Sequence, residues 1–158
     1  MHDQIKIAAP LMMRLIDQQP DRMQDSDYHG FISLEELYQD IRENLLHLLN
    51  TRAPSMIWSQ HLTELNESLL NYGLSDFVQF SLHTESFRQA MCSEVKNLIQ
   101  AFEKRLTQVN VLCIEDGQVA FDAIRLVIEG VIYLQQKRTS VGLEYAIDTV
   151  QKKFKQVE

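Results

Sequence analysis

Leu106-Thr107-Gln108-Val109-Asn110-Val111-Leu112-Cys113-Ile114-Glu115-Asp116-Gly117 is the stretch where the chain changes period. Upstream of it, apolar residues recur every three or four positions, the spacing that lines one face of a helix. From Val109 the pattern alternates. Val109, Val111 and Cys113 point one way and Asn110, Leu112 and Ile114 the other, as in a strand with one face covered. Asp116-Gly117, inside the run Glu115-Asp116-Gly117-Gln118, is hairpin chemistry. Val119 to Leu134, rich in Ile, Val and aromatics, reads as a long returning strand, and Gly130 within it marks a bulge or a close backbone approach. Residues 135–140 make a second turn. Val141 to Val150 alternates again, with Leu143, Tyr145 and Ile147 opposite Glu144, Ala146 and Asp148. The pattern predicts a three-stranded antiparallel meander.

Working back toward the N-terminus, a long helix is predicted over Glu85 to Arg105, striped by Phe87, Met91, Val95, Leu98, Ile99 and Phe102. Ser86 with Gln89, or Thr84, can cap its start. Before it lies a turn, Leu74-Ser75-Asp76-Phe77, and before that a short helix from Thr63 to Asn71, with Gly73 placed as a left-handed cap. Residues 53–61, with Pro54 and Trp58, read as irregular. The second long helix starts at a capping box, Ser33 with Glu36 three residues on. Leu34, Leu37, Ile41, Leu45, Leu48 and Leu49 form its stripe, Asp40, Glu43, Asn44 and His47 its polar face, and it ends near Asn50. A first helix is predicted from Pro10 to Gln19, with Leu11, Met12, Leu15 and Ile16 together and Pro20 as its stop. Residues 20–32 read as a turn-rich linker.

Helices followed by strands make an α+β domain, N-terminal helices packed on a small three-stranded antiparallel sheet that needs such cover for stability. One domain of 158 residues is expected: an N-terminal helix and linker (1–32), a helical part (33–105), and the sheet with a C-terminal tail (106–158).

Composition narrows the function. The net charge is −7, which argues against nucleic acid as the main ligand, because phosphate binding needs a concentrated basic face. Lys152, Lys153 and Lys155 are the nearest thing to one, and three lysines on an exposed tail read as a solvated end. The two cysteines, Cys92 and Cys113, sit in apolar-patterned segments and are expected as free, reduced thiols packing as small hydrophobes. No leader peptide and no membrane-length apolar run is read from the sequence, so the cytoplasm is the expected location, without direct membrane insertion.

Catalytic chemistry has little to stand on. The five histidines, His2, His29, His47, His61 and His83, show no metal-ligand spacing among themselves or with a cysteine, so no metal and no cofactor is expected. There is no glycine-rich phosphate loop, and no nucleophile-elbow or triad motif. A glycosidase-like carboxylate pair is conceivable in Glu103 and Asp116, where the third helix leads into the hairpin. Two ordinary exposed acids are the plainer reading.

Three stretches carry a resemblance. Leu48-Leu49-Asn50-Thr51-Arg52 closes the second helix, Ser68-Leu69-Leu70-Asn71-Tyr72-Gly73-Leu74-Ser75-Asp76 ends the short helix, and Phe102-Glu103-Lys104-Arg105-Leu106 joins the third helix to the sheet. In this order and spacing the chain resembles the TssE family of type VI secretion baseplate subunits, and the related wedge protein of contractile phage tails once labelled a tail lysozyme. The Leu11 to Asp17 helix and the closing strands also match, so the resemblance covers nearly the whole chain. The family carries Glu-Pro-Arg where this chain has Glu103-Lys104-Arg105, and often proline at the place of Ser75. Without that proline the third helix is free to run on through Lys104.

The resemblance implies a baseplate-wedge fold and a non-enzymatic scaffold. Such a subunit joins the larger wedge proteins TssF and TssG, lies beneath a sheath of TssB/TssC-like subunits, and belongs to a baseplate docked on the inner membrane complex. Neither nucleic acid nor a small-molecule substrate is implied. Its sheet is similar to the interlocking sheet of sheath subunits, so an edge strand in the 106–150 meander is expected to receive sheath strands. By the same resemblance Asn50, Thr51, Arg52, Asn71, Tyr72, Asp76, Glu103, Lys104 and Arg105 are expected to contact partner subunits. From residue chemistry alone, Asn50, Thr51 and Arg52 also suit capping and buttressing of a helix end. A peptidoglycan hydrolase and an unrelated cytosolic adaptor are the alternatives.

Overall fold

A computed structural model describes residues 7–16, 21, 30–54, 61–75, 84–115, 124–134, 137–148 and 153–157. The chain separates into two compact units, residues 1–42 and 43–158.

In the first unit, β1 (Ile7–Ala8) pairs antiparallel with β2 (Phe31–Ile32), and the Ala9 N–H extends the pairing to the Gly30 carbonyl at 3.0 Å. Helix α1 spans Leu11–Leu15 and stops short of the expected Gln19, because Ile16 is already extended at φ −80° and ψ 115°. Leu11, Met12, Leu15 and Ile16 are all more than half exposed, so no apolar burial sustains further turns. Helix α2 (Leu34–Asn50) opens as expected. The Ser33 hydroxyl accepts the Glu36 N–H at 3.2 Å, and Glu36 Oε2 accepts the Ser33 N–H at 2.7 Å and its hydroxyl at 2.8 Å. Both hydrogen bonds hold the Glu36 carboxyl below the usual carboxylate range.

Helix α2 runs on into the second unit, where Leu45, Leu48 and Leu49 are buried while Glu43, Asn44 and His47 are exposed. The predicted short helix is two 3-10 turns, Thr63–Glu67 and Leu69–Asn71, interrupted where Ser68 is extended. Helix α3 (Glu85–Phe102) buries Met91, Val95, Leu98 and Ile99. Thr84 holds the N-cap position without a side-chain cap, and Glu85 instead takes Arg88 and Gln89. The helix ends three residues before the expected Arg105. Glu103 leaves helical geometry at φ −112° and ψ 76°, and the Leu106 N–H closes a turn on the Glu103 carbonyl at 3.1 Å.

The sheet is four-stranded, not three-stranded: β3 (Leu106–Glu115), β4 (Ile124–Leu134), β5 (Lys137–Asp148) and β6 (Lys153–Gln156), antiparallel in the order β3-β4-β5-β6. With the β1/β2 pair this makes two sheets among the described residues. The fourth strand escaped the sequence pattern because a single apolar residue, Phe154, is buried among exposed lysines and glutamine. Strand β5 also starts earlier, at Lys137 rather than Val141. Residues 116–118 of the expected hairpin turn lie outside the described residues.

The alternation itself is as expected. Ile124, Leu126, Ile128 and Ile132 on β4, and Val141, Leu143, Tyr145 and Ile147 on β5, are buried. Helix α3 packs on β3. Opposite Gly130, strand β3 carries an extra residue: Thr107 pairs with Val131 but Asn110 pairs with Glu129, and Gln108 takes φ 52°. This is a bulge, and it puts both Leu106 and Val109 on the buried side. A Cβ at Gly130 would meet Leu106 Cδ2 at 3.2 Å, so glycine there also admits the bulged strand.

Cys92 on α3 and Cys113 on β3, expected as free thiols, are joined as a disulfide with Cα atoms 6.6 Å apart. A separation of 21 residues carries no pairing signal in a linear reading; the packing of helix on strand creates it.

Candidate functional site

The three stretches that carried the resemblance meet at one corner. The end of α2 is tied to the 3-10 segment through the backbone: Leu74 N–H donates to Thr51 O at 2.9 Å and Ala53 N–H to Leu74 O at 3.1 Å, a parallel bridge pairing Arg52 with Leu74. Gly73 makes this approach feasible. Its φ is +110°, and a Cβ there would lie 2.6 Å from the Thr51 carbonyl oxygen. Position after a helix suggested glycine by cap geometry; the backbone contact with Thr51 is the stronger reason. Thr51 Oγ1 turns back to the His47 carbonyl at 2.7 Å and so caps α2.

The 3-10 segment is tied in turn to the end of α3. The Tyr72 ring meets Phe102 edge to face, centroids 5.1 Å apart at 77°. Tyr72 is half-buried, and burial, then the negative charge of Glu103, pushes its phenol above the ordinary range. Glu103 is 7% exposed, and its carboxylate is gripped by the next turn: Arg105 Nε donates to Oε1 at 2.7 Å and Nη2 to Oε2 at 2.6 Å, a two-pronged pair. The Arg105 N–H adds a third bond to Oε1 at 3.2 Å. The carboxylate thereby does what a proline would otherwise do by fixing φ: it holds the chain in the turn. Lys104, whose freedom predicted a longer helix, projects outward to Glu67 at 3.3 Å, and both groups are exposed. At the second departure from the family pattern, the Ser75 N–H donates to Glu94 Oε1 at 2.9 Å, a bond that proline could not make.

Asn44, Leu45, Leu48, Tyr72, Phe102, Glu103, Lys104 and Arg105 line an open groove of about 370 Å³ at this corner. Its lining mixes apolar side chains with the Glu103–Arg105 ion pair, and among the described lining residues Glu103 is the one carboxylate. Asp116, the conceivable second acid of a hydrolase, lies outside the described residues, as does Asp76. Of the predicted residues, Asn50, Thr51, Arg52 and Asn71 are not among those lining this groove. Asn71 bonds the Asn66 carbonyl at 3.0 Å and lines a neighbouring polar groove between the 3-10 segment and α3. The Asn50 side chain bonds the backbone of Phe154 on β6, through Nδ2 to O at 3.0 Å and from N–H to Oδ1 at 2.9 Å. Sequence reasoning placed Asn50 at a helix end but gave no sign of a strand partner 104 residues away.

The sequence matches the family model for baseplate wedge protein gp25 over residues 35–137. This chain belongs to the gp25 baseplate wedge family. That family is a structural component of baseplates, and its matched span contains all three converging stretches. No curated protein matches the sequence. Among solved structures, a chain of "The baseplate complex from the type VI secretion system" shares the fold, with a TM-score of 0.54 at 18% identity, covering 78% of this chain and 97% of that one. Family and fold both agree with the resemblance to TssE and its phage relatives. Among the described residues, no helix of this wedge-family protein is long and apolar enough to cross a membrane, and no cluster of His, Cys, Asp and Glu is placed to hold a metal.

Proposed function

We propose that this chain is a non-enzymatic subunit of a type VI secretion baseplate wedge, in which the Glu103–Arg105 corner docks on TssF- and TssG-like partners and strand β3 receives strands from the sheath. The observation that carries the reading is the corner itself. Three stretches distant in sequence are brought together by the Thr51–Leu74 and Ala53–Leu74 backbone bonds and the Tyr72–Phe102 ring contact, and residues of all three line one groove beside the Glu103–Arg105 ion pair. Groups held in fixed geometry lose less entropy when a partner docks.

The choice of edge follows from how the two sheet ends are treated. At β6 the outward backbone of Phe154 is already satisfied by Asn50, and the strand is four residues long with two lysines. Short, charged and covered edges resist strand addition. Strand β3 is ten residues long, and among the described strands it pairs with β4 alone. Its outer face shows Leu112 and Ile114, each about half exposed. Added strands gain backbone hydrogen bonds from such an edge and register from its side chains. The assembly acts on the cytoplasmic side of the inner membrane complex in this reading.

Co-expression with the TssF- and TssG-like proteins, followed by size exclusion, tests the docking corner. Co-elution that is lost in Arg105→Glu, with circular dichroism unchanged, is the expected result. Absence of any co-elution with the unaltered chain sinks the wedge assignment. For the edge, Leu112→Lys with Ile114→Lys should abolish sheath assembly while wedge binding persists, and normal sheath formation would overturn that half of the proposal.

A further inference from the structure

We propose that Cys92 and Cys113 form a reversible thiol–disulfide clamp that fixes the edge strand β3 to helix α3. These are the two cysteines of the chain, and helix packing brings them into bonding contact from different elements. Helix α3 and strand β3 form a hairpin-like unit. Its closed end is the Glu103–Arg105 turn, where Leu106 N–H bonds Glu103 O. Its open end is where Cys92 and Cys113 lie, 21 residues apart in sequence with Cα atoms at 6.6 Å, inside the range a disulfide spans. The pair therefore staples the far end of the unit and leaves the outward edge of β3 as it was.

The surroundings suit both redox states. Cys113 reaches α3 at Cys92 and beside the Arg88 carbonyl, and its cross-strand neighbour Leu126 is fully buried. In the thiol form, the Cys113 S–H has an acceptor at hand in the Arg88 carbonyl, 3.9 Å from Sγ. Neither cysteine is fully buried, so a small disulfide or thiol can reach the pair. In the forward step, one cysteine thiolate attacks a sulfur of a low-molecular-weight disulfide and expels one thiolate. The second cysteine thiolate then attacks the mixed disulfide at the protein sulfur and expels the other. The protein loses two protons and two electrons, and the small disulfide is reduced to two thiols. Reduction runs the same exchange backward.

With the clamp open, no covalent link ties residues 111–115 to α3, and the ladder to β4 remains. With it closed, the edge is held rigid at both ends. Its bearing on sheath docking rests on the edge reading above; the clamp itself does not.

The experiment uses the purified full-length chain in glutathione buffers of graded oxidised-to-reduced ratio, acid-quenched, alkylated and weighed intact. The expected result is one transition between a doubly alkylated and an unalkylated monomer. Hydrogen exchange of the β3 amides should then be roughly tenfold faster or more in the reduced chain, with the β4–β5 ladder unchanged. Cys92→Ser/Cys113→Ser should exchange like the reduced chain in both buffers. Full alkylation under excess oxidised glutathione, or a disulfide formed between chains, overturns the pairing. Equal β3 exchange in the two states of the unaltered chain overturns the clamp. Every readout is taken without partners, so these outcomes stand apart from success or failure of sheath docking.

Discussion

Asn50 acts toward Phe154 as a neighbouring strand would: its side-chain amide donates to the carbonyl at 3.0 Å and accepts the N–H at 2.9 Å. One side chain at the end of α2 thus closes the outer edge of the four-stranded sheet. Asn50→Ala leaves both Phe154 groups without this partner. It should cost about 1–3 kcal/mol in urea unfolding, from two bonds of modest net worth each. Asn50→Asp keeps the acceptor, loses the donor, and sets a carboxylate against a carbonyl, so it should be at least as damaging. Hydrogen exchange at the Phe154 amide reads the effect locally.

Gly73 and Gly142 form a matched pair of opposites. Gly73→Ala forces a Cβ to within 2.6 Å of the Thr51 carbonyl oxygen at φ +110°, so destabilisation of about 2–4 kcal/mol is expected. Gly142 is exposed with nothing within 4 Å of a Cβ, and Gly142→Ala should be neutral or stabilising by up to about 1 kcal/mol. Chemical denaturation of the two variants side by side checks both signs.

The two basic residues of the corner should differ sharply. Arg105→Met strands a buried carboxylate, at an expected cost of about 2–4 kcal/mol, reduced from a fully buried pair because Arg105 is partly exposed. Lys104→Ala removes an exposed pair and should cost about 0.5 kcal/mol or less. Equal losses in thermal melts would mean that the forked bond to Glu103 does not hold the turn.

Tyr72 reports on Glu103. Burial and then the Glu103 charge raise its folded pKa, so it contributes stability that is complete below the ordinary tyrosine value, about 10, and is lost as pH climbs through the raised value. Glu103→Gln removes the second cause. The phenolate absorbance in that variant should rise at lower pH than in the unaltered chain.

Glu36 has the opposite sign. Its pKa is lowered by the bonds from Ser33, so its contribution is present above the ordinary carboxylate range and lost as pH falls through the lowered value. Ser33→Ala should return the Glu36 titration, followed by NMR, toward that ordinary range and fray the first turn of α2.

Local chemistry was legible where the signal lies within a few residues. The Ser33/Glu36 box, the stripe through Leu45, Leu48 and Leu49, and the alternation along β4 and β5 each follow from spacing and a single buried face. Gly130 pointed to a bulge because few other reasons put glycine inside such a strand. The site was legible as three stretches through the family resemblance, but not as a corner. The unread parts depend on partners far along the chain. Phe154 gains strand status only from β5 and Asn50. Likewise, Cys92 meets Cys113 only once α3 lies on β3.

By itself, then, the sequence determined the two long helices and the three long strands, because periodicity and capping act over one or two turns of chain. It also determined the family. Tertiary structure alone decided where α3 stops and which edge of the sheet is covered. Those outcomes are set by backbone groups seeking partners once the core has formed, and a backbone group looks the same at every position of a sequence.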